Sequence, residues 1–257
     1  MNDFVTPVLR ALDALDQPLD LFIRDDDAGW SDDTLLALLD VTARAGVPID
    51  LAAIPLAVSP LLALELNARI DAMPGLLAVH QHGCAHLNHQ AEGRKCEFGD
   101  ARDAHRQRAD LMGGRLLLEG CFGARLQRFF TPPWNRCAEF TPSLLAELGY
   151  RALSRDRGAP RQSALPELPV DIDWSRQHRE GGLPQVAHGL ATAVRARGRL
   201  RQPLGLMLHH AAMSVDELDA LGQALSAWAR HPQARWRAMA DLIASAAPAT
   251  PPHVRFH

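Results

Sequence analysis

The sequence predicts an α/β fold in which about seven parallel strands alternate with helices. Two observations carry this prediction. Short apolar runs of strand length alternate with longer segments of helical periodicity, and unusual polar residues follow several of the apolar runs. Such alternation is typical of parallel strands with helices packed outside them, either in a doubly wound sheet or in a barrel. The chain shows no internal repeat and no obvious linker, so we predict one domain over residues 1–257.

The predicted strands are short apolar runs, most of which end in polar residues or proline. They cover residues 20–26, 47–55, 75–80, 126–131, 150–154, 169–173 and 203–210. The predicted helices cover residues 31–46, 59–71, 100–120, 138–149, 214–230 and 235–246. In the first of these helices, Ser31 is the expected N-cap and Gly46 the expected C-terminal stop.

Composition argues against several classes of function. A formal net charge of −3 gives no basic footprint for nucleic acid. No apolar run reaches about 18 residues, the length that predicts a membrane-spanning helix. The N-terminal segment lacks the charged and apolar regions of a secretory signal, and the four cysteines form no C-x-x-C pair. We therefore expect a cytoplasmic protein with reduced thiols.

Acidic and imidazole side chains follow the predicted strands at their carboxyl ends. They lie at Asp25–Asp27, residues 80–89 (HQHGCAHLNH), residues 131–136 (TPPWNR), residues 171–174 (DIDW) and His209–His210. In parallel α/β folds this edge binds ligands and carries catalysis. The three adjacent carboxylates repel one another, and a nearby cation would relieve that repulsion. Because neighbouring strand residues point to opposite faces, all three can face one point only if the backbone bends.

The histidine-rich segment offers two spacings that suit a metal ion. His82 and His86 are four residues apart, so a helical turn beginning near Gly83 would place both rings on one face. His80 and His82 form an alternative H-x-H pair. His89 lies a further turn away, near the expected rim of the pocket.

The order of these motifs resembles that of the polysaccharide deacetylases, the NodB-homology group of carbohydrate esterase family 4. Residues 24–28 (RDDDA) align with the T-F-D-D-G motif of that family, and residues 82–86 (HGCAH) with its H-G-x-x-H motif. Residues 130–134 (FTPPW) look like its R-x-P-x motif, and residues 206–209 (LMLH) look like its L-x-H motif. Residues 81–99 are closer still to a branch of unexported bacterial members.

The resemblance implies a distorted (β/α) barrel and metal-dependent hydrolysis of an N-acetyl group on an amino sugar. By position, Asp27, His82 and His86 would bind a divalent metal, usually zinc. Asp26 would be the general base, and His209 the general acid. Three protein ligands would leave one coordination position open for water and the substrate carbonyl.

Substrate contacts are expected along the same edge. The predicted residues follow the strands or lie near the proposed metal ligands: Pro133, Trp134, Asn135, Asp173, Trp174, His210 and His89. A backbone N–H near Trp134 would help to hold the oxyanion. Either Asp171 or Asp173 matches the late aspartate of the family, which orients a catalytic partner. The expected substrate is a small carbohydrate or a sugar conjugate, such as a soluble or lipid-linked precursor.

The chain departs from the family pattern at three positions. Thr131 or a neighbouring aromatic residue stands where the family has an arginine that steadies the catalytic base. Arg24 and Arg136 are candidate replacements for that arginine. Asp25 replaces an apolar residue, and His210 stands where an aspartate is common.

The sequence leaves two other functions open. A metallohydrolase of the amidohydrolase kind would use His80 and His82, although those families place the H-x-H pair on the first strand. A non-catalytic, sugar-binding descendant of the deacetylase fold would keep the barrel and lack turnover, and the missing arginine favours this alternative. The sequence predicts no particular oligomeric state.

Overall fold

The computed structural model describes residues 4–160 and 164–246, so the ends of the predicted domain of residues 1–257 lie outside the described residues. The strands are β1 (Leu19–Ala28), β2 (Ile49–Ala53), β3 (Leu77–His82), β4 (Leu126–Thr131), β5 (Ala152–Leu153), β6 (Ile172–Asp173), β7 (Leu204–Leu208) and β8 (Ala234–Trp236). The helices are α1 (Thr6–Asp13), α2 (Asp32–Ala45), α3 (Pro60–Ala72), α4 (Ala104–Phe122), α5 (Thr141–Glu147), α6 (Trp174–Leu200), α7 (Val215–Trp228) and α8 (Met239–Ala246).

All the paired strands run parallel in one curled sheet. The strand order is β5-β4-β3-β2-β1-β7-β6, and β8 pairs with β1 outside this path. The gap between β5 and β6 is spanned by isolated bridges from the segment before β6, Leu153 with Glu167 and Asp156 with Val170. The sheet therefore curls into a distorted barrel. This architecture confirms the predicted α/β fold, with seven parallel strands in the main path.

Strand β1 is the longest strand of the sheet and pairs with three others, β2, β7 and β8. Its register places Ile23 beside Ile49 of β2 and Leu206 of β7. All three side chains are buried in the main core between the sheet and the outer helices. Both faces of the sheet are covered, so consecutive residues of β1, β2 and β3 are buried on both faces.

The inner face of the barrel is apolar at the bottom and polar towards the carboxyl ends of the strands. Phe22 of β1 packs there with Phe129 and Met207, in a cluster separate from the main core. Arg24 and Asp26 alternate with Ile23 along β1 and are also buried. On the inner face of β1, the buried polar side chains therefore begin at Arg24, two residues after the apolar Phe22.

The sequence does not predict α1 or α6, although α6 is the longest helix of the described residues. Helix α6 contains two non-helical residues, Gly181 and Gly182, followed by Pro184. These residues interrupt the helical periodicity on which the prediction depends. At the other end of the chain, α8 begins at Met239, and the residues just before it form β8 instead of a predicted helix.

One carboxyl group inside the barrel has no cationic partner. Asp50 of β2 is buried, its Oδ2 accepts the N–H of Met239 at 2.9 Å, and its Oδ1 has no hydrogen-bond partner. Burial raises the pKa of Asp50 to about 7, against the opposing effect of the Met239 N–H.

In the described part of the chain, no helix has the length and hydrophobicity to cross a membrane.

We predict that Asp50→Asn removes a pH-dependent loss of stability. An unfolded aspartate ionises near pH 4, whereas the folded one stays protonated to about pH 7, so the folded state loses stability as pH rises between these values. The shift corresponds to a cost on the order of 4 kcal/mol above pH 7. Urea unfolding of chelator-treated protein at pH 4.5 and pH 8 should show Asp50→Asn gaining over wild type only at the higher pH. Asp219→Asn, at an exposed position of α7, is the control, and equal pH dependence in both variants would contradict the prediction.

Candidate active site

Four strands deliver the predicted functional residues to one end of the barrel. Asp26 and Asp27 lie near the end of β1, His82 ends β3, Thr131 ends β4, and His209 directly follows β7. Since parallel strands have their carboxyl ends at the same edge, residues far apart in the sequence meet there.

Asp27, His82 and His86 form a compact cluster of potential metal ligands. The Nε2 atoms of His82 and His86 each lie 3.2 Å from Asp27 Oδ1. One ligand atom from each residue lies within 4.8 Å of the other two, and no other such group of three occurs among the described residues. Asp27 Oδ1 is buried and accepts no hydrogen bond from the described residues. A buried carboxylate oxygen that faces two imidazole nitrogens fits a divalent cation.

The orientation of His82 is fixed by the strand next to it. Its Nδ1 donates to the carbonyl oxygen of Thr131 at 3.0 Å, so its Nε2 is directed at Asp27. A carbonyl on the far nitrogen of a histidine is a common way to fix the tautomer of a metal ligand. His80 does not join the cluster, because it is fully buried with its Nε2 2.8 Å from Thr131 Oγ1. The alternative metal pair of His80 and His82 therefore has no geometric support.

Electrostatics hold the three candidate ligands in different states. Burial raises the pKa of Asp27, but the close contact with His82 and the charges of His82, His86 and His209 lower it to about 2. Burial and the charge of His82 lower the pKa of His86 to about 4. Burial also lowers the pKa of His82, but Asp27 and Asp26 outweigh it, and the net shift is upward. Asp27 is thus ionised and His86 neutral at pH 7, as metal ligands must be.

Backbone strain explains how adjacent residues of β1 reach the same site. Asp27 has a φ of 71°, and the pairing of β1 with β2 shifts register between Asp25 and Ala28. His86 has a φ of 56°. Left-handed backbone is unfavourable outside glycine and is retained mainly where function requires it. The bend that the three carboxylates require therefore lies at Asp27.

Glu97 holds the turn that connects His82 to His86. Its carboxylate is buried and accepts the backbone N–H groups of Cys84 at 3.2 Å and Ala85 at 2.8 Å. Gly83, with a φ of 59°, lies so close that an added Cβ would be 2.1 Å from Glu97 Oε2. The turn therefore depends on both residues.

Arg24 supplies the guanidinium that the motif around Thr131 lacks. Its Nε donates to Asp26 Oδ1 at 2.7 Å, and its Nη2 donates to Asp26 Oδ2 at 2.9 Å. Further donors reach Ser154 Oγ and Asn135 Oδ1, both at 2.7 Å. Burial raises the pKa of Asp26, but Arg24 and the charges of His82 and His209 together outweigh burial, and the net shift is downward. Arg136, the other candidate replacement, donates instead to the carbonyl of Lys95.

His209 lies beside Asp173 at the same end of the barrel. The Nδ1 of His209 is 4.0 Å from Asp173 Oδ1, and the charge of His209 helps to lower the pKa of Asp26. Asp171 lies elsewhere, paired with Arg157 and accepting the N–H of Gly205. Of the two late aspartates, Asp173 is therefore the one that accompanies the proposed acid.

Two indole rings border the metal-ligand cluster. The Trp134 ring centroid is 4.4 Å from that of His86, and the Trp30 centroid is 4.9 Å from it. Trp134 and Asn135 are consecutive left-handed residues, with φ of 55° and 58°. The predicted site does not include Trp30, which lies in the turn after the acidic motif. The one sequence signal for it is a large apolar side chain within a polar segment.

The predicted substrate contacts of Trp174 and His210 require correction. Trp174 has no exposed surface, because its ring packs against Phe4 in the main core and its Nε1 donates to Glu217. His210 is also fully buried, and both its ring nitrogens bond to protein acceptors, one of them on Asp25. Trp174 is the first residue of α6 and His210 begins a short 3-10 helix after β7, and in both helices these side chains face the interior.

Three other residues that the sequence predicts to contact substrate lie close to the site and contact neighbouring protein residues. Pro133 is buried and lies against Gly83, and Asn135 is buried against Arg24. His89 is half-buried, and its Nε2 is 2.8 Å from Nη1 of Arg102. These contacts support the site, and the direct binding of substrate by Pro133, Asn135 and His89 stays a prediction.

Solved structures with the same architecture are numerous. A Mycobacterium smegmatis protein assigned to the polysaccharide deacetylases superposes with a TM-score of 0.66 at 15% identity, covering 90% of this chain and 91% of its own. A family 4 carbohydrate esterase from Bacillus anthracis gives a TM-score of 0.56 at 15% identity, covering 95% and 94%. The chain has the fold of the family 4 carbohydrate esterases. Neither a family model nor a curated protein matches the sequence.

One group of similar structures bears on catalysis. A Bacillus anthracis pseudoenzyme of carbohydrate esterase family 4, in a mutant form with restored enzymatic activity, gives a TM-score of 0.57 at 11% identity. The match covers 89% of this chain and 68% of that one. The fold therefore occurs with and without activity, and the side chains of the site must decide between the two.

We predict that Glu97 determines metal affinity. Glu97→Ala should weaken zinc binding roughly 10- to 100-fold, because the turn between His82 and His86 loses both of its acceptors. Glu97→Gln should fall between this variant and wild type, since an amide can accept only through its one oxygen. Zinc dissociation constants from competition with a chelator would measure the effect. Glu92→Ala, at an exposed position of the same loop, is the matched control, and an unchanged constant in Glu97→Ala would refute the role.

Proposed function

We propose that this protein is a metal-dependent deacetylase that hydrolyses the N-acetyl group of an amino sugar or sugar conjugate. The observation that carries the proposal is the convergence of Asp27, His82 and His86 beside Asp26, whose carboxylate is held by Arg24. His209 lies within electrostatic reach of both Asp26 and Asp27. A metal triad, a fixed carboxylate and a nearby imidazole are the groups that amide hydrolysis requires.

The donor set suits zinc. One carboxylate and two imidazoles are the ligand types found in catalytic zinc sites, which keep a fourth position open. When bound, zinc would polarise the acetyl carbonyl and lower the pKa of a water molecule. The orphaned Asp27 Oδ1, which lies between two Nε2 atoms, supports a cation at this point.

The side chains divide the proton transfers between them. Asp26 is ionised beside Arg24 and acts as the base. It accepts a proton from the attacking water while the water oxygen bonds to the acetyl carbon. His209 donates a proton to the amine nitrogen as the C–N bond breaks, because an amide anion is a poor leaving group. The products are acetate and the free amino sugar. The bidentate contact with Arg24 keeps both oxygens of Asp26 oriented throughout.

A small carbohydrate or sugar conjugate is the proposed substrate. The exposed indole of Trp30 beside the site favours a ring with an apolar face. We retain the cytoplasmic location expected from the sequence, where such a substrate would be a soluble or lipid-linked sugar precursor.

A second candidate function is sugar binding without turnover. Thr131 stands at the position of the missing arginine, and a pseudoenzyme shares the fold. Arg24 weighs against this candidate because it already provides two hydrogen bonds to Asp26. Sugar binding without acetate release in zinc-loaded protein would favour the second candidate.

We predict that replacing the proposed base removes activity but not the metal, whereas replacing a proposed metal ligand removes both. Asp26→Asn should keep one zinc per chain and lose about 10³-fold in kcat, because an amide cannot accept the proton. His82→Ala should lose the metal together with the activity. Acetate release from N-acetylglucosamine, its oligomers and its uridine diphosphate conjugate, with metal analysis of each variant, provides the test. Full zinc content in a His82→Ala/His86→Ala double variant would exclude the assigned centre.

We predict that Arg24 is required for turnover but not for metal binding. Arg24→Lys keeps the charge and loses the bidentate geometry, so kcat should fall roughly 100-fold with zinc content unchanged. Arg136→Lys, which changes the rejected candidate arginine, should retain wild-type kcat. Equal kcat for Arg24→Lys and wild type would show that the base needs no guanidinium partner.

A further inference from the structure

Asp25 and His210, which both depart from the family pattern, are bonded to each other. The backbone N–H of His210 donates to Asp25 Oδ1 at 3.0 Å, and the Nδ1–H of His210 donates to Asp25 Oδ2 at 2.6 Å. Both side chains are completely buried. The end of β1 and the segment after β7 are therefore cross-linked by a bidentate contact.

The same imidazole reaches the turn that carries Trp30. The Nε2 of His210 is 2.7 Å from the carbonyl oxygen of Trp30, so both ring nitrogens face acceptors and both carry protons. Burial lowers the pKa of His210, but Asp25 outweighs it and raises the pKa to about 9. The ring is thus a buried imidazolium between a carboxylate and a main-chain carbonyl.

The backbone of Trp30 is fixed on every side. Its N–H donates to the carbonyl of Asp27 at 3.1 Å, and its carbonyl accepts from His210. The preceding Gly29 has a φ of 115°, and an added Cβ would lie 2.9 Å from Ala57. Ser31, which follows, is also left-handed, with a φ of 49°.

This rigid turn nevertheless presents a large apolar ring to solvent. Trp30 is 41% exposed, and its ring contacts His86, a proposed metal ligand. Rigid aromatic rings beside a polar centre are typical of binding sites, where they provide contact area at a small entropic cost.

We propose that Trp30 is a substrate-binding residue that contacts the apolar C–H face of a sugar ring, and that Asp25 and His210 are the positioning residues that hold it. The proposal rests on the proposed function for the identity of the ligand as an N-acetylated sugar. It adds a determinant of specificity from the turn between β1 and α2, distinct from the metal ligands and the proton-transfer residues.

The first test measures sugar binding without turnover. The probe is the N-acetylglucosamine tetramer, titrated by calorimetry into zinc-loaded Asp26→Asn protein. Adding Trp30→Ala should raise the dissociation constant roughly tenfold, and Trp30→Phe should raise it less than about threefold, since a ring is retained. Zinc affinity should not change. Leu61→Ala, at an exposed apolar position of α3, is the control and should bind the probe normally.

The second test asks whether the buried pair acts through Trp30. The Asp25→Asn/His210→Gln variant should weaken probe binding about as much as Trp30→Ala, and combining all three changes should add little further loss. Additive losses would mean that the pair does not position Trp30. Should the pair prove irreplaceable in a folded protein, the Trp30 variants alone decide the claim.

The outcomes separate this proposal from the proposed function. Trp30-dependent binding of the probe, without acetate release by the zinc-loaded wild-type protein, would support the sugar contact and refute the deacetylase. Acetate release with probe binding unaffected by Trp30→Ala would do the reverse. Absence of probe binding by the Asp26→Asn parent would also overturn the sugar contact.

Discussion

The withdrawal of three consecutive carboxylates from solvent near the end of β1, with Asp25 and Asp26 buried and Asp27 partly so, is the constraint on which this site depends. A buried carboxylate is costly unless it is paired and hydrogen-bonded. Each of the three therefore has its own partners. Asp26 faces Arg24 of β1, and Asp25 faces His210, which follows β7. Asp27 faces His82 at the end of β3 and His86 after it. The site is the arrangement that satisfies all three at once.

That arrangement explains where the backbone is strained. Strand alternation alone would send Asp26 and Asp27 to opposite faces, and the left-handed backbone at Asp27 brings its carboxylate back towards the histidines. The described residues include six non-glycine residues with positive φ, and all but Arg201 lie in the site or in its bordering turns. Strain of this kind persists only where surrounding contacts impose it. Here Glu97 and His210 supply such contacts.

The fold and the candidate metal-ligand cluster of Asp27, His82 and His86 were predictable because they depend on local patterns. Apolar runs of strand length located β1 to β7. The spacing of His82 and His86 predicted that they share a face, but a non-helical turn with left-handed Gly83 and His86 brings them together instead of the predicted helical turn. The partner of Asp26 was not predictable, because whether Arg24 or Arg136 reaches it depends on three-dimensional packing. Trp174 was misplaced for a related reason: the sequence shows that it follows a strand, but not which side of the sheet its ring takes.

The position of Arg24 shows why a missing motif residue does not by itself imply a missing function. In a parallel barrel, side chains from several strands reach the same point above the floor, so a charge can come from any of them. Arg24 lies two residues before Asp26 on the same strand and the same face, from where its guanidinium reaches both carboxylate oxygens. With Arg24 in place, an arginine at position 131 would bring a second positive charge to the Asp26 carboxylate, whose charge Arg24 already neutralises. Thr131 instead contributes its carbonyl to His82 and its hydroxyl to His80, so the same position orients the metal-ligand side of the site.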